Sequence, residues 1–305
     1  MATATATATT AATTPAAAAA AAAAPPPTCP PPVGNSAYNE TPLQRLTREA
    51  RPCLLTPKAF FVSWQGVLVL AYRGFPPQLA ALKAGLTAAH AAAGGLPNES
   101  PGSRWPKTSL GALRDGRRLT PEQLAALLRA CREVSEVFET EAAAADAAAA
   151  AAATTTTTSI EVRELSVITY ECRSLERLIS RARLPLQGGA GGRGNDAAAA
   201  DADAAPPSAE EAARVATVLS EADDANYWFH ASRDGGREAH YRAPAPGVTL
   251  VHELGLGASS EQQGTRQRLL DAVRRFRERV DAALPGMYVW FDDASLHVTV
   301  RAIIA

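Results

Sequence analysis

Cysteine is scarce in this chain of 305 residues: four are present, Cys29, Cys53, Cys131 and Cys172, and no two stand in a CxxC spacing. Thiols so widely separated argue against a zinc site and against a disulfide framework, and they fit a reducing compartment. Net charge is nearly absent as well, at -1 from 30 Lys and Arg against 31 Asp and Glu. No global field therefore favours a nucleic-acid coat protein, which leaves only a local basic groove for such a role. A Leu-rich run able to cross a bilayer is missing too. The alanine run from Ala143 to Ala153 buries too little surface per residue, and Asp146 interrupts it. No basic residue precedes Arg45, which removes both the charged start of a secretory signal and the arginines of a transit peptide. The expectation is an intracellular, cytoplasmic protein with no membrane span, no metal and no cofactor.

What is abundant is alanine. Ala-rich, Thr-rich and Pro/Gly-rich tracts fill the first thirty-odd residues and the stretches near 140–158 and 187–214. Some 80 residues of this kind, roughly counted, cannot contribute a packed core. About 225 remain, enough for one medium domain or two small lobes. The predicted organisation is a disordered tail over 1–40 and a first lobe over 41–186 with an Ala/Thr-rich insertion at about 140–158. A low-complexity linker over 187–222 and a second lobe over 223–305 complete it.

Within the first lobe, AFFVSWQGVLVLAYRGF from Ala59 to Phe75 reads as a strand or hairpin turning at Gln65 and Gly66. A Leu-striped helix follows, carrying Leu79, Leu82 and Leu86, and Gly94 with Gly95 stops it. WPKTSLGAL, Trp105 to Leu113, alternates like a short strand. Thr120 then caps a helix with Pro121 in its first turn and Leu124, Leu127, Leu128, Cys131 and Val134 on one face. Beyond the Ala/Thr tract, Ile160 to Glu171 alternates as a strand, and Cys172 to Leu184 is predicted as a short helix capped by Ser174. The second lobe is expected to start with a hairpin over Asn226 to Arg242, turning at Asp234, Gly235 and Gly236. A strand in GVTLVHELG, a long helix with Leu269, Val273, Phe276 and Val280 inward, and two short strands around Asp292 and Asp293 follow. Strand, Leu-rich helix and alternating segment thus occur twice, so the chain reads as an α+β fold of two pseudo-repeated lobes. Antiparallel strands with flanking helices would surround a central groove.

The alternating segment SLHVTVRAI, Ser295 to Ile303, carries chemistry. Side chains of a strand alternate, which places His297, Thr299 and Arg301 on one face and Leu296, Val298, Val300 and Ala302 on the other. A base near neutral pH, a hydroxyl and a fixed positive charge would then lie within about 7 Å of one another along the strand. That set suits a phosphate ester: histidine moves a proton, threonine donates to a phosphoryl oxygen, and arginine offsets the charge.

LHVTVRAI resembles the motif of the two-histidine phosphoesterases, among them RNA 2',5'-ligases and cyclic nucleotide phosphodiesterases. The resemblance implies a bilobal α+β fold with one H-x-[ST]-x motif per lobe facing a shared groove. It implies that the two histidines act as general base and general acid on a 2',3'-cyclic phosphate or a 2',5' linkage, while the hydroxyls hold the phosphate. His297 and Thr299 occupy the motif positions of the second lobe. In the first, PKTSLGALRDGRRLTPEQLAALL is similar to the family's run of motif, loop and helix, but Lys107 stands where histidine is expected and Ser109 takes the hydroxyl position. Lysine at its ordinary pKa can donate a proton or bind phosphate, yet cannot serve as a base. The expected site is thus Lys107, Ser109, His297 and Thr299 as catalytic residues with Arg301 binding phosphate. Its partner would be an RNA end or nucleotide bearing a cyclic or 2',5' phosphate. A non-catalytic module that only binds such an end is the alternative, and a scaffold acting through its Ala-rich segments is a third.

Other features carry plainer readings. GAGGRG, Gly189 to Gly194, follows no strand and reads as linker rather than dinucleotide loop. His230, His240 and His252 read as structural or exposed. Trp105 and Trp290, each shortly before a motif, suit core packing, with stacking on a base as the functional option. Asp223-Asp224 and Asp292-Asp293 read as turn or cap residues, and Arg274, Arg275, Arg277 and Arg279 as a solvated helix face. The second lobe ends just past its motif, so either it is abbreviated or its continuation is absent from this sequence.

Overall fold

A computed structural model describes residues 40–91, 94–99, 103–151, 159–187, 204–254 and 260–304. The chain forms α1 (Pro42–Glu49), β1 (Cys53–Leu55), β2 (Pro57–Val62), β3 (Leu68–Tyr72), α2 (Pro77–His90), β4 (Lys107–Leu113) and α3 (Pro121–Ala151). It continues as β5 (Ile160–Val162), β6 (Glu164–Tyr170), β7 (Leu178–Pro185), α4 (Ala209–Ser220), α5 (Tyr227–Ala231) and α6 (Glu238–Arg242). Then follow β8 (Gly247–Glu253), α7 (Ser260–Ala283), β9 (Tyr288–Trp290) and β10 (His297–Ile304). The fold is α+β, with every strand pairing antiparallel.

Local chemistry explains the elements that matter for the site. β2 and β3 form the predicted hairpin, and its turn places Gln65 and Gly66 at φ 63° and 75°. That left-handed backbone suits the glycine and is uncommon for the glutamine. α3 begins at a reciprocal cap: the Gln123 amide N–H donates to Thr120 Oγ1, and the Thr120 N–H donates to Gln123 Oε1. Its buried face, Leu124, Leu127, Cys131, Val134 and Phe138, follows the helical period.

The strands assemble into two four-stranded sheets, ordered β2-β3-β4-β9 and β10-β8-β6-β7, beside a β1-β5 pair. This order corrects the division into consecutive lobes at 41–186 and 223–305. β6 and β7 from the earlier stretch join β8 and β10, while β9 from the later one joins β4, so the two halves interleave. The reason is that buried strands on both sides had open edges to fill, and sequential neighbourhood is only a tendency. α3 packs on β2 and α7 on α3, with the Phe60 and Phe276 rings stacked 4.6 Å apart. One buried apolar cluster runs through both sheets, from Leu70 and Leu110 to Leu250, Val298 and Val300.

Four further expectations change. Helix α3 continues through the Ala-rich tract to Ala151, because alanine is the best helix former and an N-capped helix is already propagating. Within the expected linker, α4 forms over Ala209–Ser220 with a Ser208 cap and a buried Val215. Residues 172–184 form a turn and strand β7 rather than a helix, since β6 offers an edge that pairs it from Glu164 to Tyr170. The expected hairpin over 226–242 is instead two short helices, α5 and α6, with Gly235 and Gly236 between them at positive φ. The 1–39 tail, Cys29, the remainder of the Ala/Thr tract at 152–158 and GAGGRG lie outside the described residues. Cys53, Cys131 and Cys172 are buried, and no described helix is long and apolar enough to cross a membrane.

Two consequences for stability follow. Phe276 of α7 is fully buried with its ring on Phe60 of β2, so Phe276→Ala should cost about 3–5 kcal/mol in urea unfolding, and a loss under about 1 kcal/mol would contradict this packing. His252 on β8 is buried with Nδ1 3.4 Å from the Glu164 carbonyl, and burial pulls its pKa from 6.5 down to about 4. The unfolded chain takes up that proton near 6.5 and the folded one only near 4. The contribution to stability is therefore intact above pH 6.5 and falls by about 3 kcal/mol as the pH drops to 4. Denaturation of wild type and His252→Gln at pH 7 and pH 4.5 checks it: the variant should lose less on acidification.

Candidate functional site

The two alternating segments are positioned by the same local device. In each, a strand leads into a helix and the chain returns as a second strand antiparallel to the first: β3, α2, β4, and β8, α7, β10, with β9 of the other sheet lying between α7 and β10 in the chain. Ser109 pairs with Val69 and Lys107 with Ala71, while Thr299 pairs with Val251 and His297 with Glu253. The hydroxyl residue stands opposite a valine in both, and the lysine or histidine lies two residues earlier. β4 and β10 belong to different sheets yet touch each other. Their polar faces meet, so that Lys107, Ser109, His297 and Thr299 all line one cavity of about 560 Å³, a volume typical of ligand sites.

Each side chain has a defined setting. The His297 Nδ1 lies 2.7 Å from the Ser295 carbonyl oxygen. A carbonyl only accepts, so in the neutral ring Nδ1 carries the proton and Nε2 keeps the basic lone pair. Burial lowers the His297 pKa below its ordinary value, opposed by the Ser295 carbonyl and by Glu253, so the ring is neutral at pH 7. Lys107 is half-buried with its ammonium 4.5 Å from the centre of the Trp105 ring, a cation–π contact. Burial, with Lys83 nearby, brings the Lys107 pKa down to about 8. Ser109 meets the phenol of Tyr241, whose pKa burial pushes up to about 12. Between Lys107 and Ser109, the buried Thr108 hydroxyl shares a 2.9 Å hydrogen bond with Tyr72 and fixes the strand.

Arg301 is the one expected site residue that does not reach the cavity. Thr299 pairs with Val251 and Arg301 with Leu250, so Val300 is an extra residue in β10. This bulge reverses the alternation: Val300 and Arg301 are both buried, and Ala302 takes the cavity-facing place. Arg301 turns instead toward Glu99, 3.9 Å away, which also pairs with Lys83 at 3.1 Å. Its Nε and Nη1 have no hydrogen-bond partner among the described residues. The phosphate-binding role expected of Arg301 therefore has no geometric basis.

The cavity's accessible arginine is Arg173, on the turn after β6, with Nη1 3.4 Å from the His240 carbonyl. His240 and Tyr241 of α6 line the cavity as well, and burial together with Arg173 lowers the His240 pKa. Sequence reading missed all three. A hairpin over 226–242 gave no reason to aim His240 and Tyr241 at a cavity, and Arg173 fell in the stretch expected to be a helix. The remaining candidates settle into the structure. Trp105 is buried beneath Lys107, and Trp290 packs against Tyr288 and Phe276 while its Nε1 donates to Asp281 at 2.9 Å. Asp293 is held by Arg277 and Arg274, and the Asn226 N–H donates to Asp224. Arg275 and Arg279 are not merely solvated: they pair with Glu141 and Glu133 across the α3–α7 contact. Among the described residues, no group of three or more His, Cys, Asp and Glu could hold a metal ion.

No protein-family model matches the chain, and neither does any curated protein or any solved structure. The chemistry of the site must be read from its own groups.

The tautomer is directly checkable. Imidazole nitrogen NMR should show His297 protonated at Nδ1 and titrating below pH 6.5; an Nε2–H tautomer or a higher midpoint would overturn the assignment of Nε2 as the base.

Proposed function

We propose that the protein opens cyclic or 2',5'-linked phosphodiesters of nucleotides or RNA ends, with His297 as general base and Lys107 as general acid. The observation that carries this reading is the convergence of Lys107, Ser109, His297 and Thr299, from strands of two sheets, on one cavity. His297 Nε2 takes the proton of a water that attacks phosphorus. The bond from phosphorus to one ribose oxygen breaks, and Lys107 gives its proton to that oxygen. The hydroxyls of Ser109 and Thr299 donate to the phosphoryl oxygens as charge builds on them. The environments support this division of labour: one group is lowered to remain neutral at pH 7, while the other, at about 8, remains protonated but acidic enough to give its proton up.

Lysine in the place of a motif histidine favours a second reading, a module that binds the same ends without turning them over. Incubation of the purified chain with nucleoside 2',3'-cyclic phosphates separates the two. Turnover should rise through a pKa below 6.5 as His297 loses its proton and fall through about 8 as Lys107 loses its own. His297→Ala should cut the rate about 10²–10⁴-fold. Binding with no turnover decides for the module, and activity unchanged by His297→Ala sinks the catalytic assignment.

A further inference from the structure

Trp64 is a large aromatic residue with 42% of its surface exposed, and it borders the cavity. An exposed indole usually has rotational freedom, but this one has very little. Its Nε1 donates to Glu221 at 2.7 Å, and one face is covered by the His230 ring, stacked at 5.3 Å and 19°. The turn that carries it is clamped from three sides. The Ser63 N–H donates to the Val67 carbonyl at 2.8 Å, the Tyr288 hydroxyl donates to the Gly66 carbonyl at 3.0 Å, and the Tyr227 hydroxyl donates to the Val62 carbonyl at 2.5 Å. Gln65, next in the chain, holds the left-handed φ of 63° that the turn requires. What Trp64 offers the cavity is therefore its second face and its edge, fixed in advance.

A rigid, one-sided aromatic surface at the wall of a cavity is chemically suited to a flat π-system, and ordering it before binding removes an entropic cost of association. A sugar can lay only its C–H edge against it and gains less than a planar base does. We propose that Trp64, backed by His230 and held by Glu221, is the stacking platform for the purine or pyrimidine of a nucleotide bound in this cavity. The inference rests on the reading of the Lys107 and His297 end as the phosphate subsite only for where the phosphate goes. It makes Trp64 a specificity-determining residue that favours nucleotides over phosphodiesters of simple polyols. Trp105 lines the cavity but is 4% exposed with Lys107 over its ring, and half-buried Trp290 is not part of the cavity wall, so neither presents an open face there as Trp64 does.

Calorimetric titration of the full chain with adenosine 3'-monophosphate and with ribose 5-phosphate tests the proposal without any turnover. The nucleotide should bind more tightly than the sugar phosphate. Trp64→Ala should weaken the nucleotide about tenfold or more while leaving the sugar phosphate unchanged, and Trp64→Phe should recover most of the loss. Circular dichroism of both variants checks that the fold is retained. Equal affinity of wild type for the two ligands, or a Trp64→Ala variant that keeps its nucleotide affinity, overturns the platform. The two readings fail separately. Trp64-dependent nucleotide binding with no opening of cyclic phosphates keeps the platform and rejects the enzyme, whereas turnover with base binding indifferent to Trp64 does the reverse.

Discussion

The cavity exists because β4 and β10, one strand from each sheet, are held against each other by a shared interior. Leu110 of β4 and Val298 and Val300 of β10 are fully buried in the same apolar cluster. With apolar side chains committed inward, alternation sends Lys107, Ser109, His297 and Thr299 the other way, into the space between the sheets. The reactive groups are thus placed by burial of their neighbours. Their precision depends on the packing of α3 and α7 behind the first sheet at least as much as on any hydrogen bond in the site.

The parts of the fold legible in the sequence were those with a strong local signal. The β2–β3 hairpin, the Thr120 cap, the Leu stripe of α2 and the inward face of α7 each follow from the residues within one element. The four cavity-facing residues of β4 and β10 were legible for the same reason. What could not be read is what depends on partners distant in sequence. β7 is a strand because β6 has a free edge, and β9 pairs with β4 across more than half the chain. Alternation also presumes an unbroken ladder, and the extra residue at Val300 leaves no mark in the letters of HVTVRAI. Arg301 was assigned to the cavity on a rule that holds up to Thr299 and fails one residue later.

The two ends of the proton-transfer pair differ in more than residue type. His297 is tied to the backbone through Nδ1 and feels the carboxylate of Glu253, which is itself hydrogen-bonded by Ser166 and paired with Arg181. Lys107 lies on the face of an aromatic ring with a second ammonium, that of Lys83, nearby. One environment holds an imidazole in a fixed tautomer, and the other makes an ammonium a stronger acid than it is in water. The unlike surroundings give the two groups unlike tasks even though the strands that carry them are related by the same register.

The bulge at Val300 also affects the field inside the cavity. By turning Arg301 inward it places a guanidinium, 4% exposed, beside Lys83 and behind the wall that carries Lys107, with Glu99 as the carboxylate both cations share. Mobile ions screen charges at a protein surface within about 8–10 Å of solution, but they do not enter such an interior. The pull of this wall on an anionic occupant will therefore persist as ionic strength rises, whereas the contribution of the exposed Arg173 will fade.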